Sequence, residues 1–414
     1  MNLYPHQVEN AKKLVRSINR DGAAIDASDT GTGKSFTAFA VAAALRRKPF
    51  VVCPLSVGPS WQHKHEILTK GFDKDELAKV FGSTTGSLEW VNYEKARRST
   101  FRWPDDMADT LVVVDEAHRV GSPDSLQAKM VRRLADRGLP ILFASATPFA
   151  TPMRTRAFMH ALDKVHWDRW YPMLKQFGCY RNAKIKGRPW MWNGSSDSID
   201  RLKLLFKDNM VATRWSEVEG FPEVLVQPEV VHVSDQAKAE ALARAAASNP
   251  LAQTVKERRE LELLRVPAFI DMTKDLLEQG KKVLAFFNFT DPIREYSKAM
   301  GCHVIDGKTD QTERQWAHSD FQSGVTNNLA LNSKAGGEGI DLQGQDRVSL
   351  ISPDWSAVTY KQVFGRTHRI GGELAILKPV YIAGTMEESK VMPTVMRKSQ
   401  HIETLTDQDL IPNL

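Results

Sequence analysis

Cysteine is scarce in this chain: three in 414 residues, at Cys53, Cys179 and Cys302. They stand far apart with no paired spacing, which argues against a zinc ribbon or a disulfide framework and for a reducing compartment. Long apolar runs are missing too. The longest, Ala38 to Leu45, is too short to cross a bilayer and ends in Arg46-Arg47-Lys48. The first residues, Met1 to Gln7, lack the cationic and apolar pattern of a cleavable leader. No low-complexity tract or solenoid repeat appears. Charge of one sign is not concentrated either. The net +6 is spread over the whole length, compatible with a polyanionic partner without requiring one.

What is present is an ordinary globular composition, 42% apolar and 26% charged, long enough for two domains each with its own core. One stretch organises the rest: Ser28-Asp29-Thr30-Gly31-Thr32-Gly33-Lys34-Ser35. It follows the apolar run Ala23-Ala24-Ile25 and precedes the helical pattern Phe36 to Leu45. Strand, glycine-rich turn and helix form the setting of a phosphate-binding loop. Glycines let successive amides point at phosphate oxygens, and the helix N-terminus adds positive potential. Lys34 is placed to reach the β- and γ-phosphates of ATP, and Ser35 to bind Mg²⁺. Ser28 stands where the widest form of the motif has glycine.

Four apolar residues, Leu111 to Val114, read as a buried strand ending in Asp115-Glu116-Ala117-His118. Open α/β sheets place their ligands at such strand ends. Asp115 is placed to hold Mg²⁺, and Glu116 to orient and deprotonate an attacking water. The strand Leu139 to Ala144 runs into Ser145-Ala146-Thr147-Pro148, small hydroxyl residues suited to a γ-phosphate. Upstream, Gln7 carries an amide that matches the adenine edge, though a surface Gln would read the same. Between Pro152 and Arg214, Trp167, Trp170, Trp190 and Trp192 interleave with Arg181, Lys184, Lys186 and Arg188. That mixture suits nucleic-acid contact, while a tryptophan is more often core and a basic run a solvated face. Gln236 to Leu264 reads as helix, broken near Asn249-Pro250, after which strand and helix patterns restart. On the final helical pattern, Arg366 and Arg369 are three apart and share a face that could reach a γ-phosphate.

Together these pieces resemble the superfamily 2 helicases and translocases, most closely the SWI/SNF-like ATPases. Leu3 to Gln7 resembles the family's adenine motif, residues 27–35 its phosphate loop, and Val52-Cys53-Pro54-Leu55-Ser56 with Trp61 the segment after the first helix. Asp115 to His118 and Ser145 to Pro148 match its acidic and coupling motifs. Ala335 to Leu342 is similar to a nucleic-acid-contacting and coupling motif, and Gln362 to Gly371 to the arginine-finger motif. Phe177 to Tyr180, Trp192 to Ser196 and Arg214 resemble the fork-remodelling, annealing-helicase branch, with Thr213-Arg214 where that branch pairs two arginines.

The resemblance implies an α/β fold of two tandem RecA-like domains, each a mostly parallel sheet flanked by helices, with an ATP cleft between them. The expected boundaries are 1–220 for the first lobe with its Trp/basic insertion at about 152–214, 221–265 for a helical linker and 266–414 for the second lobe. The implied catalytic residues are Lys34, Asp115, Glu116, Arg366 and Arg369. ATP would be held by Gln7, Thr30, Gly31, Thr32, Gly33, Lys34, Ser35, Gly339 and Asp341, and Mg²⁺ by Ser35 and Asp115. DNA contacts would fall on Ser56, Lys334 and Trp355. The implied activity is a nucleic-acid-stimulated ATPase that moves on duplex, forked or branched DNA, with RNA less favoured. A strand-separating helicase and an ATP-gated DNA-binding scaffold stay open. A monomer away from membranes is expected, cytoplasmic, in the host cytoplasm if phage-encoded and nuclear if the source is eukaryotic.

Overall fold

The computed structural model describes residues 3–71, 88–103, 107–182, 190–222, 224–247, 249–333, 346–367 and 374–397, with Asp75, Lys79 and Leu342 as isolated positions. The chain divides into two compact units, the first ending at Val218 and the second beginning at Glu219.

The first unit is built on a six-stranded parallel sheet. Its strands are β1 (Ala23–Asp26), β2 (Lys48–Cys53), β3 (Glu89–Asn92), β4 (Thr110–Asp115), β5 (Ile141–Ala144) and, after a small antiparallel hairpin of β6 (Cys179–Arg181) and β7 (Trp190–Trp192), β8 (Met210–Val211). The order across the sheet is β3-β2-β4-β5-β1-β8. Strand alternation divides the side chains between two cores. Val112 and Val114 lie in one with Phe143, Phe158 and Phe206. Leu111 and Val113 lie in the other with three helices, α1 (Pro5–Asp21), α2 (Lys34–Leu45) and α3 (Gly58–Thr69). Both faces of the sheet are thus covered, which is why its strands read as continuous apolar runs.

The Trp/basic stretch differs from the nucleic-acid expectation. Trp167 and Trp170 are 3% and 1% exposed and belong to the first of these cores, with Trp190 and Trp192 packed against it. The Arg156 guanidinium lies 4.2 Å from the Trp167 ring centroid, and its nitrogens donate to the Trp167 carbonyl and to Asp124. A cation over an aromatic face here is an internal brace. Arg181 is exposed, while Lys184, Lys186 and Arg188 lie outside the described residues.

The second unit holds β9 (Val224–Val226), β10 (Glu229–Val231), β11 (Lys282–Phe287), β12 (His303–Ile305), β13 (Asn328–Asn332), β14 (Arg347–Ile351) and β15 (Ala375–Ile382). The order is β10-β15-β14-β11-β13-β12, with β9 also on β15, and every pairing is parallel. β9 and β10, inside the stretch expected as a helical linker, are therefore strands of the second sheet. The helices that follow span Asp235–Arg244 and Pro250–Glu278, the break falling at the Asn249-Pro250 step. Proline at the first turn of the longer helix loses no hydrogen bond. Val266 and Phe269 of that helix pack on Val283, Ala285 and Phe287 of β11.

Candidate active site

β1 ends at Asp26, and the next residues turn over the C-terminal edge of the sheet into α2. Gly31 and Gly33 have φ of 83° and 89°, the left-handed region that favours glycine. At Gly33 a Cβ would lie 2.2 Å from Gln7 Nε2, so side chains are excluded twice over. Gly33 is the N-cap of α2, and no side chain caps the helix. An uncapped helix start offers its first amides and its dipole to an anion. Lys34 Nζ donates to the carbonyls of Ser28 (2.9 Å) and Asp29 (3.0 Å). The loop thus combines what a nucleotide phosphate needs: amides, a cation and two glycines that let the backbone curl.

The loop is fastened from two directions. From α1, the buried Gln7 amide donates to the Thr32 carbonyl (3.1 Å) and accepts from the Tyr4 amide (3.0 Å), and His6 Nε2 donates to the same Thr32 carbonyl (3.0 Å). From the end of the unit, Trp215 Nε1 donates to the Thr30 carbonyl (2.7 Å), and the Trp215 amide donates to Asp29 Oδ2 (3.0 Å). Asn10 Nδ2 donates to Thr213 Oγ1 (2.8 Å) and Ser28 Oγ (3.3 Å). Sequence reasoning found Gln7 but neither fastening; residues 213–215 are 185 positions from the loop residues they hold and reach them through β8.

The acidic pair lies at the same edge, at the end of β4 and one strand removed from β1. Trp61 Nε1 donates to Asp115 Oδ2 (2.7 Å), the Glu116 amide donates to Asp115 Oδ1 (2.9 Å), and the Tyr93 hydroxyl donates to the Asp115 carbonyl (2.6 Å). Burial, then the adjacent Glu116 carboxylate, push the Asp115 pKa above the usual range, while Trp61 and Lys34 oppose the shift. Glu116 takes a left-handed φ of 49°. His118 Nδ1 is 3.3 Å from Glu116 Oε2 and 3.3 Å from Ser145 Oγ, which links the acidic pair to the hydroxyl motif after β5. From α3, Lys64 Nζ donates to Ser35 Oγ (3.2 Å). Trp61 and Lys64 are three apart on one helical face, so a single helix orients both Mg²⁺ candidates. That spacing was legible, but nothing in sequence said what the face would meet.

Thr30, Gly31, Thr32, Gly33, Lys34, Ser35, Asp115, Glu116 and Gln7 all fall in this one region of the first unit. Ser56 is half-buried in the turn after β2, and Trp355 half-buried in the turn after β14. Lys334, Gly339, Asp341 and Arg369 lie outside the described residues, as does the side chain of Arg366 on the helix Ala357–Thr367.

Residues 1–150 match the family described as type III restriction enzyme, res subunit, and residues 268–371 match the helicase conserved C-terminal domain. The chain is 24% identical, over 99% of its length, to protein L364 of Acanthamoeba polyphaga mimivirus, whose name describes an ATP-dependent RNA helicase. The match covers 84% of L364. It is 24% identical, over 96% of its length, to SWI/SNF-related matrix-associated actin-dependent regulator of chromatin subfamily A-like protein 1 of Xenopus tropicalis. It is 22% identical, over 94%, to DNA annealing helicase and endonuclease ZRANB3 of Mus musculus. It spans 44% and 39% of the length of those two relatives. Among solved structures, a Sulfolobus solfataricus SWI2/SNF2 ATPase core in complex with dsDNA aligns with 99% of this chain and 94% of its own at 17% identity and a TM-score of 0.41.

Proposed function

Since the chain belongs to the SWI/SNF-like ATPases of helicase superfamily 2, we propose that it is an ATP-driven translocase acting on duplex, forked or branched DNA. The observation that carries the reading is the phosphate loop itself. Lys34 at the uncapped start of α2 shares a sheet edge with the buried carboxylate of Asp115 and with Glu116. Lys34 and the first amides of α2 would hold the nucleotide phosphates, and Ser35 and Asp115 would hold Mg²⁺. A bound Mg²⁺ supplies neutralising charge to the phosphates.

Within the chain, Trp61 and the Glu116 amide hold the Asp115 carboxylate in one orientation. Glu116 is the candidate base, kept near its partner by His118. His118 also touches Ser145, so a change of hydrogen bonding at the hydroxyl motif is felt by the base. Gln7 and His6 fix the loop from α1, on the side where the adenine is expected. The duplex preference is drawn from relatives named for DNA annealing and chromatin. The RNA reading draws on the name of the mimivirus relative.

The test is the steady-state ATPase rate of the intact protein alone and with single-stranded DNA, duplex DNA, forked DNA and RNA at one salt concentration. Duplex or forked DNA should stimulate the most. Stimulation by single strands or RNA alone would replace this reading with a conventional helicase. Glu116→Gln should abolish turnover and spare ATP binding, and an unchanged rate would remove Glu116 as the base.

A further inference from the structure

The sheet of the first unit has β8 at its edge, on the side opposite β2 and the Ser56 turn. Beside β8 the surface opens into a slot of about 870 Å³. One wall is α1, the other is the helix Ser196–Phe206 and the residues after it, and the floor is the strand itself with Met210, Val211 and Ala212. The slot therefore sits where a further strand of the same three-layer sandwich would lie. Backbone alternation sets which groups face it. Val211 and Asn209 give their carbonyls to β1, at Ala27 and Ile25. The peptide groups of Met210 and Ala212 consequently turn to the outer edge.

Two further observations describe what would fill the slot. Asn209 lines it and is 1% exposed, and its Oδ1 has no hydrogen-bond partner among the described residues. No strand among the described residues pairs with the outer edge of β8, whose outward peptide groups at Met210 and Ala212 call for a second backbone, which a peptide has and a phosphate chain lacks. The rim carries Lys13, Arg16 and Arg20 from α1 and Lys203 and Lys207 opposite, against Asp200 and Asp208, with Arg20 paired to Asp21 and Lys13 3.8 Å from Glu9. Leu204, 70% exposed, adds an apolar contact between the lysines. Short strands and lysines also serve to blunt sheet edges. Blunting leaves a recessed slot unexplained.

We propose that this slot is a docking site for an extended acidic segment of a partner protein, which adds as a strand to β8. Its backbone pairs with Met210 and Ala212, and its carboxylates meet the lysines and arginines of the rim. Main-chain pairing supplies affinity in this mode of recognition, and the alternating side chains supply selectivity. The slot shares Asn10 with the fastening of the phosphate loop but is lined by none of the residues assigned to its chemistry, so it would recruit the motor without being part of that chemistry.

The experiment uses the intact protein and three fluorescein-labelled probes in anisotropy titrations: the decapeptide (Glu-Val)5, the decapeptide (Lys-Val)5 and a 30-base-pair duplex DNA. The acidic peptide should bind and the basic one should not. Lys13→Glu with Lys207→Glu should weaken acidic-peptide binding at least tenfold, and Leu204→Glu should weaken it severalfold. Both variants should keep the wild-type melting temperature and the ATPase rate without nucleic acid. Amide exchange at 209–212 should slow when the peptide is bound. No binding of (Glu-Val)5, or equal binding by the charge-reversed protein, overturns the proposal. A charge reversal that weakens only the duplex would reassign the rim to nucleic acid and overturn it as well. None of these outcomes depends on which nucleic acid drives the ATPase.

Discussion

At the scale of single residues, the phosphate loop contains two positions where chemistry leaves little choice. Gly33 combines a φ of 89° with a Cβ position 2.2 Å from Gln7 Nε2. Gly33→Ala should displace Gln7 or distort the loop, costing about 1–3 kcal/mol. The expected result is ATP affinity at least tenfold weaker by equilibrium titration, with a lowered melting temperature. Asp26 lies fully buried at the end of β1. Its Oδ1 accepts from the Ser28 amide, and Oδ2 has no hydrogen-bond partner among the described residues. Burial pushes its pKa up, opposed by Lys34 and the Ser28 bonds. A folded-state pKa above the unfolded one means that protonation favours folding. The penalty for ionising Asp26 is thus absent below the ordinary aspartate range and grows as pH rises through the raised value. Asp26→Asn keeps the acceptor and removes that penalty. It should raise the melting temperature relative to wild type at about pH 8, with the gap closing towards about pH 4.

At the scale of elements, the second unit is held together under its strand ends by a buried polar network on the helix Pro250–Glu278. The Glu262 carboxylate accepts from the amides of Asn288 (2.8 Å) and Phe289 (2.8 Å), which begin the loop after β11. Arg265 is 1% exposed, pairs with Glu387 and donates to Ser352 Oγ (3.2 Å). Removing one member of such a pair strands the other in a medium that solvates it poorly. Arg265→Ala should therefore cost about 3–5 kcal/mol by chemical denaturation, and the double change Arg265→Met with Glu387→Met should cost less than Arg265→Ala alone. This network was not legible. Periodicity marks the helix, but a charged residue on its buried face looks like any solvated charge until its partners, 122 positions away for Glu387, fold onto it. The tryptophans of the first unit show the reverse ambiguity. Trp167 and Trp170 beside basic residues look like a nucleic-acid surface, and only the folded structure buries them in the core, with Arg156 against their rings.

At the scale of the whole molecule, a motor that tracks DNA by its backbone binds without regard to sequence. The logarithm of its DNA affinity should fall linearly with the logarithm of salt, with one slope for duplexes of unrelated sequence. Lys34→Ala should abolish ATP turnover and leave that slope unchanged, since on the proposed reading the lysine serves the nucleotide. A slope that differs between sequences would reveal base-specific contacts instead. Much of this architecture was written in local pattern. Apolar runs bounded by turns became parallel strands, glycines and Lys34 marked the loop, and Asp115-Glu116 fell at a strand end, because these signals depend on neighbours within a few residues. What local pattern cannot carry is contact between distant segments. Tertiary structure alone brought Trp215 onto the Thr30 carbonyl, turned Trp61 and Lys64 of α3 towards Asp115 and Ser35, and placed β9 and β10 on the second sheet instead of in a linker. It also left β8 with an outer edge that no described strand pairs, beside a slot lined by lysines and arginines. The physical reason is common to all of these. A hydrogen bond or a packed ring is specific only once the backbone has brought both partners within reach, and across the 29 to 185 positions that separate these partners no composition or periodicity records that approach.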